Sequence, residues 1–315
     1  MKLLLDILLL IVGFVLLIKG ADFFVDGASS LAKKMKIPSL IVGLTIVAMG
    51  TSAPELAVSI SSAAKGANSL AISNVIGSNM FNLLMVLGVC SIIMPIAVNQ
   101  TVMKRDYPFS AAAMVLFVIF ILDKQLARWE AAVLLAALVG YMIITIRDAM
   151  KNPREEEEEQ HKFNPLICAL CIFGGAAAIV YGGNMVVDHA QSIALKFGMS
   201  ETLVGLTICA MGTSLPELVT SVVASHKGEN DMAVGNVVGS NIFNVLAILG
   251  ISGVIKPITL VAKTASNAIT DSVILLGMCL VAFLLCVQGK KLVRWNGVIM
   301  VSLYAAYMAF IIIRN

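Results

Sequence analysis

Long apolar stretches recur along the whole chain, each closed by a short cluster of charged, glycine or proline residues. A helical run of about 20 apolar residues spans the roughly 30 Å hydrocarbon core of a bilayer, so each stretch is a candidate crossing. Read between their breaks, the stretches predict ten helices near residues 2–20, 39–64, 69–96, 107–122, 129–147, 164–188, 201–225, 231–258, 269–288 and 294–313. The first stretch, Leu3 to Ile18, has no small-residue cleavage site behind it and leads directly into further crossings. It therefore reads as the first transmembrane helix and not as a signal peptide. The expected fold class is an all-α integral membrane protein with ten transmembrane helices.

Composition agrees, since 59% of the 315 residues are hydrophobic and only 13% are charged, against about 25% charged in soluble domains. The 22 basic and 19 acidic residues leave a formal net charge of +3, which excludes a nucleic-acid binder and leaves the lipid bilayer and small ions as expected partners. The basic residues are unevenly placed. Lys33, Lys34, Lys36, Lys104, Arg105, Arg147, Lys151, Arg154, Lys162, Lys227, Lys290, Lys291 and Arg294 fall in the loops after odd-numbered helices. That bias puts those loops in the cytoplasm of a cell (inner) membrane and both termini outside. Cys90, Cys168, Cys171, Cys209, Cys279 and Cys286 all lie in apolar runs and read as small hydrophobes, the Cys168-x-x-Cys171 spacing included.

Residues 42–96 align without a gap to 204–258, with roughly 30 of the 55 positions identical. The match divides the chain into a first five-helix repeat (1–150), an acidic cytoplasmic linker (151–163) carrying the run Glu155 to Glu159, and a second five-helix repeat (164–315). Five like charges in a row repel one another and stay solvated. An odd number of crossings per repeat forces the second copy through the bilayer in the opposite sense, the inverted arrangement that alternating-access transporters use.

Each repeat concentrates its polar residues in the middle of its second and third helices. The segments Val42 to Leu56 and Val204 to Leu218 read VGLTIVAMGTSAPEL and VGLTICAMGTSLPEL. On a helix, Thr45, Ser52, Glu55, Ser59 and Ser62 share one face, as do Thr207, Ser214, Glu217 and Ser221. Pro54 and Pro216 are expected to kink the helix and release carbonyls between Ala48 and Gly50 and between Ala210 and Gly212, and free backbone survives at membrane depth only where it is buried in protein or lines a cavity. A plainer reading is that Ser52 to Glu55 and Ser214 to Glu217 are capping boxes. Against it, a carboxylate near the bilayer centre costs about 2.5–3.5 kcal/mol, which a neutral cap would avoid.

In the third helices, Asn74, Ser78 and Asn82, and Asn236, Ser240 and Asn244, form a second oxygen-bearing stripe, with interhelical hydrogen bonding as the structural alternative. Asn79 and Asn241 fall off it and read as packing residues. Hard oxygens with two formal charges, and neither thiolate nor imidazole, suit Ca²⁺ or Na⁺. His161, His189 and His226 lie near loops or helix ends and are not expected to be ligands.

At these residues the sequence resembles the sodium/calcium exchanger family of the cation/calcium antiporter superfamily, of prokaryotic type. The resemblance covers the ten-helix layout and is most specific in GTSAPEL and GTSLPEL and in the segments Ser73 to Asn79 and Gly235 to Asn241. It implies that Glu55 and Glu217 ligate calcium with Thr51, Thr213 and the carbonyls of Ala48 and Ala210, and that Ser52, Ser214, Ser78 and Ser240 add sodium ligands. Asn82 and Asn244 stand where some members have an aspartate in one repeat, so no third acid is present. The implied function is a Ca²⁺/Na⁺ antiporter rather than an enzyme, with no cofactor beyond the transported ions. The alternatives are H⁺/Ca²⁺ antiport, which in the family goes with GNxxE-type motifs, and a cation channel with a paired-glutamate constriction.

Overall fold

The computed structural model describes residues 2–65, 68–151, 163–199, 204, 207–208, 210–260, 262–289 and 291–314. Among them, eight helices are long and apolar enough to cross a membrane: α1 (Lys2–Lys34), α4 (Leu70–Ile93), α5 (Val102–Asp123), α6 (Arg128–Lys151), α7 (Pro165–Lys196), α9 (Asn230–Ile255), α10 (Ala265–Val287) and α11 (Arg294–Arg314). A ninth crossing is a bent pair, α2 (Ser39–Thr51) and α3 (Ala53–Lys65), meeting at 48°. The crossing expected near 201–225 falls partly outside the described residues. Its described part holds the short helical piece Ala210–Gly212 and α8 (Leu215–His226). The acidic run Glu155 to Glu159 also lies outside the described residues.

The protein is all-α and membrane-embedded as expected, but two helices outrun their expected ends. α1 continues past residue 20 for fourteen further residues to Lys34, and α7 runs to Lys196 instead of ending near 188. At 1.5 Å per residue each is about 50 Å long, well beyond the hydrocarbon thickness. The glycines and aspartates that suggested a break in α1 have other partners. Gly20 lets α1 approach α7 so closely that a Cβ there would sit 2.8 Å from the Ile179 nitrogen, and Asp22 and Asp26 pair with Lys227 at 2.8 and 2.9 Å.

The α1–α7 crossing is antiparallel and runs along a ladder of small residues. Gly13 faces Gly182, Gly20 faces Gly175, and Gly27 faces Cys168. Lipid tails are as apolar as leucine, so helices in a bilayer associate by close packing rather than by the hydrophobic effect, and small residues permit it. At that rung a Cβ on Gly27 would meet the Cys171 Cβ at 2.8 Å and the Cys168 carbonyl oxygen at 3.0 Å, so the two cysteines pack where small side chains are needed. α2 lies against α9 in the same manner, where a Cβ on Gly43 would meet the Met232 carbonyl at 2.5 Å.

Two short ribbons, not expected from the sequence, tie the repeats together. β1 (Ile96–Ala97) pairs antiparallel with β4 (Lys291–Leu292), and β2 (Gln125–Leu126) with β3 (Ile258–Thr259). With the ion pairs, they sort the helix ends into two groups. The loop after α4 joins the loop before α11 through β1–β4, and the first turn of α5 joins the end of α6 through Arg105 and Asp148 at 2.6 Å. The opposite group contains β2–β3, the Arg314–Asp271 pair, and a cluster in which His189, Ser192 and Lys196 all engage the buried Asp6. Chain start and chain end therefore fall in the second group.

Close approach at the α1–α7 ladder should be intolerant of even one methyl group. Gly182→Ala would place a Cβ 2.5 Å from the Leu17 nitrogen, whereas a Cβ on Gly174 meets nothing within 4 Å. Overpacking of this kind costs about 1–3 kcal/mol. Thermal unfolding of the purified variants should show a lower Tm for Gly182→Ala and an unchanged or slightly raised one for Gly174→Ala.

Candidate cation site

The polar residues collect at the bend between α2 and α3 and at its counterpart before α8. Ser52 (φ −82°, ψ 8°) and Ser214 (φ −95°, ψ 8°) leave helical geometry just ahead of Pro54 and Pro216. Glu55 and Glu217 follow in the first turn of α3 and α8, where the helix N-terminus favours negative charge. Both glutamates are completely buried.

Their hydrogen bonds cross between the repeats. Ser52 Oγ donates to Glu217 Oε1 at 2.8 Å, and Ser214 Oγ donates to Glu55 Oε1 at 2.9 Å. Ser78 adds a longer bond to Glu55 Oε1 at 3.4 Å. The threonines cross as well, Thr51 to Asn236 Oδ1 at 3.0 Å and Thr213 to Asn74 Oδ1 at 3.5 Å. Each asparagine returns to its own repeat, Asn236 donating to Ser221 Oγ at 2.9 Å and Asn74 to Ser59 Oγ at 3.2 Å. The expected capping boxes are not formed in this way, because Ser214 makes no side-chain cap bond and both serine hydroxyls are committed across the interface.

Among the described residues the second carboxylate oxygens, Glu55 Oε2 and Glu217 Oε2, have no hydrogen-bond partner, and neither do Ser240 Oγ, both amide atoms of Asn82 and the Asn244 Oδ1. A buried polar atom without a partner costs about 1–3 kcal/mol, and more when it is charged. Among the described residues no lysine, arginine or histidine is bonded to either glutamate. The arrangement offers unpaired oxygens and formal negative charge with no internal cation, which is a donor set for a hard metal ion.

Three expectations need adjustment. The Ala48 carbonyl is not released: it accepts the Ser52 amide at 3.0 Å and lies 3.4 Å from Thr51 Oγ1. The bond that Pro54 deletes is the one to residue 50, four positions earlier, so the ladder survives up to Ala48. Thr45 is turned away, bonding its own helix at the Ile41 carbonyl at 2.6 Å. A π-helical turn over Gly43–Val47 puts an extra residue into that stretch and shifts the stripe's phase. Asn244 donates to Asn79 Oδ1 at 3.0 Å, so one end of its amide is structural.

Ser52, Glu55, Ser59 and Ser62 are buried as the stripe required, and so are Ser214, Glu217 and Ser221. Ala210 opens the short helical piece Ala210–Gly212. His189 pairs with Asp6 at 3.1 Å and His226 ends α8, both apart from the glutamates; His161 lies outside the described residues. Asn79 and Asn241 pack as expected, each amide donating to the other's backbone carbonyl, at 3.3 and 3.4 Å. The crossing of these bonds between repeats was not legible in the sequence, although the matched offset of the two motifs is the signal that could have suggested it.

The crossed serine and threonine bonds recur in both repeats, but exposure differs between them. Thr51 and Asn236 are 0% and 1% exposed, while their counterparts Thr213 and Asn74 are only half-buried. Asn74 lies near the start of α4, opposite the end that leads into β1.

The family model for the sodium/calcium exchanger protein matches residues 5–147 and 167–313. A putative antiporter, CaxA, of Alkalimonas amylolytica is 38% identical over 307 residues, covering 95% of each chain. The sodium/calcium exchanger MaX1 of Methanosarcina acetivorans is 31% identical over 345 residues, covering 96% of this chain and 97% of its own. Among solved structures, the sodium-calcium exchanger NCX_Mj soaked with 100 mM Na⁺ and 10 mM Sr²⁺ superposes with a TM-score of 0.84 at 28% identity, covering 98% of both chains.

The asparagine cluster makes a graded stability prediction. Asn79→Ala removes a bond to the Asn241 carbonyl and also strands the Asn244 amide, whereas Asn241→Ala removes one donor bond. Each lost buried bond costs about 1–3 kcal/mol. Asn79→Ala should therefore lower Tm more than Asn241→Ala in detergent; equal losses would show that the Asn244 bond contributes nothing.

Proposed function

The chain belongs to the sodium/calcium exchanger family, a family of cation/Ca²⁺ antiporters, and from that premise we propose that it moves Ca²⁺ against Na⁺ by alternating access through the site around Glu55 and Glu217. The observation that carries this reading is the crossed pair of buried carboxylates, each held by the other repeat's serine and each with one oxygen unpartnered. In this reading Glu55, Glu217, Thr51, Thr213 and the carbonyl of Ala210 ligate calcium, and the Ala48 carbonyl, which already accepts the Ser52 amide, joins them through its second lone pair. Ser52, Ser214, Ser78 and Ser240 contribute when sodium is bound, and Asn82 and Asn244 offer neutral oxygens.

The electrostatics favour coupled exchange over leak. Two carboxylates sealed without a cation are unpaired charges in a low dielectric, at a cost of several kcal/mol each. One Ca²⁺ or two Na⁺ would neutralise them. The empty site therefore resists occlusion, and the loaded site can cross. The halves 1–150 and 164–315 act as inverted repeats joined by the linker 151–163, and the half-buried Thr213 and Asn74 mark the side open to solvent. With the basic loops in the cytoplasm, both termini lie outside and that opening faces outward.

Sodium is favoured over protons because the third-helix layer carries amides at Asn82 and Asn244. An amide supplies an oxygen but neither binds nor releases a proton in this range. Only the glutamates can then take up protons, which compete with the cations, so transport falls as pH falls. Calcium-45 uptake into proteoliposomes should follow an imposed sodium gradient, ignore potassium and ignore a proton gradient. Flux driven by protons alone would remove sodium from the scheme, and flux needing no counter-ion would mark a channel.

Glu55→Gln or Glu217→Gln alone should abolish calcium flux in protein that still elutes as a single species. Uptake near the wild-type rate by either variant would take that glutamate out of the site. For orientation, a cysteine placed at position 157 should resist an impermeant thiol reagent in intact cells and react after permeabilisation.

A further inference from the structure

The register that matches residues 42–96 to 204–258 continues back into the two long helices, setting Gly20, Asp22, Val25 and Asp26 of α1 against Gly182, Asn184, Val187 and Asp188 of α7. The crossing itself obeys that register. On exchanging the repeats, the rung between Gly13 and Gly182 becomes the rung between Gly175 and Gly20, and the Gly27–Cys168 rung becomes the place where His189 meets Asp6. α1 and α7 are thus a near-symmetric pair. Their contacts with the rest of the bundle do not share that symmetry.

After α3 and again after α8 the chain reads Lys-Gly-x-Asn, at Lys65 to Asn68 and at Lys227 to Asn230. Gly228 has φ +80°, a conformation that favours glycine, and it ends α8 with Lys227 at the tip. Lys227 Nζ meets Asp22 Oδ1 at 2.8 Å and Asp26 Oδ1 at 2.9 Å, and it donates to the Asp22 carbonyl at 2.9 Å. Ser29 Oγ donates to Glu229 Oε1 beside them. These bonds fasten α1 to the loop between α8 and α9, and α1 packs along α8 next to them. This is the end of the bundle where α9 starts and where Thr51 and Asn236 are sealed. At the opposite end, near the half-buried Thr213 and Asn74, the corresponding approach of α7 to α3 is slight among the described residues, and Asp188 is exposed.

We propose that the two Lys-Gly turns are alternate latches: Lys227 on Asp22 and Asp26 holds the sealed end shut, and Lys65 on Asp188 shuts the other end when the bundle changes over. The proposal rests on the alternating-access reading of this chain. Ion pairs that repack at an interface are a recurrent part of two-state transitions. The two latches are unequal. Asn184 and Ala67 stand where the first latch has Asp22 and Glu229, so the second keeps Asp188 as its acid in register. The ion-free chain is therefore biased toward the arrangement with the Lys227 end closed. Lys227 and Asp26 are 24% and 23% exposed, so their pair is weak enough to part during turnover. A cavity of about 300 Å³ runs beside it, lined mainly by Asp26, Ser29, Ser30, Lys33, Lys227 and Glu229, and the contact opens there without baring an apolar seam.

Hydrogen exchange of the full-length protein in detergent free of sodium and calcium, read by mass spectrometry over α8, tests the latches. Lys227→Gln should speed exchange in α8 about fivefold. Asn184→Asp, which restores the missing acid at the far end, should speed it too, and that effect should vanish when Lys65 is also replaced by Gln. Lys65→Gln alone should slow exchange in α8, a remote gain of protection that misfolding cannot imitate. Lys19→Gln, which removes the exposed partner of Asp22 at 3.6 Å, should leave α8 unchanged. No slowing in Lys65→Gln, or an Asn184→Asp effect that persists without Lys65, would overturn the latches; if wild-type calcium-45 uptake still follows a sodium gradient, the exchange reading survives that loss. Wild-type flux that needs no counter-ion would overturn both.

Discussion

Two buried carboxylates, with no basic side chain bonded to them among the described residues, set the terms for the rest of this molecule. Leaving Glu55 and Glu217 uncompensated in a membrane interior is expensive, and the surrounding structure limits that cost without removing it. One oxygen of each carboxylate is satisfied by a serine from the opposite repeat, and the other is left unpartnered. The bends before Pro54 and Pro216 place each acid at a helix N-terminus, and close approach at Gly43 lets α2 and α9 meet beside it. Neither repeat can build the centre alone, because each glutamate's shortest hydroxyl bond comes from the other half.

That interdependence links fold to function. In the proposed exchange the crossed bonds between the two halves offer two related arrangements, and the difference in burial between Thr51 and Thr213 fits one of them. α1 and α7 bind each other along a ladder of small residues, while Lys227, beyond the end of α8, holds Asp22 and Asp26 of α1. Burial pulls the Lys227 amine toward its neutral form, and the hydrogen bonds to Asp22 and Asp26 outweigh it, raising its pKa above the ordinary lysine value.

Much of this could be read from the chain. Hydrophobic runs located the crossings, and the paired GTSxPEL segments located both acids and the bend. The errors have particular causes. Gly20, Asp22 and Asp26 resemble a helix end, yet in α1 they serve a close crossing and an ion pair, which only tertiary context can reveal. Thr45 left the polar stripe because a π-helical turn shifts the phase that a uniform helical period assumes. The serines of the apparent capping boxes satisfy a remote carboxylate instead of a nearby amide, and local spacing cannot separate the two. The ribbons of two residues per strand are too short to leave a periodic signal.

The central claim is that Glu55 and Glu217 are one shared cation site and not two separate ones. Equilibrium binding of calcium-45 to the purified protein, with sodium as competitor, tests it most directly. The account predicts one calcium bound per chain, displaced by sodium and lost completely in Glu55→Gln and in Glu217→Gln. Two calcium ions per chain, or half the binding retained when one glutamate is replaced, would contradict it.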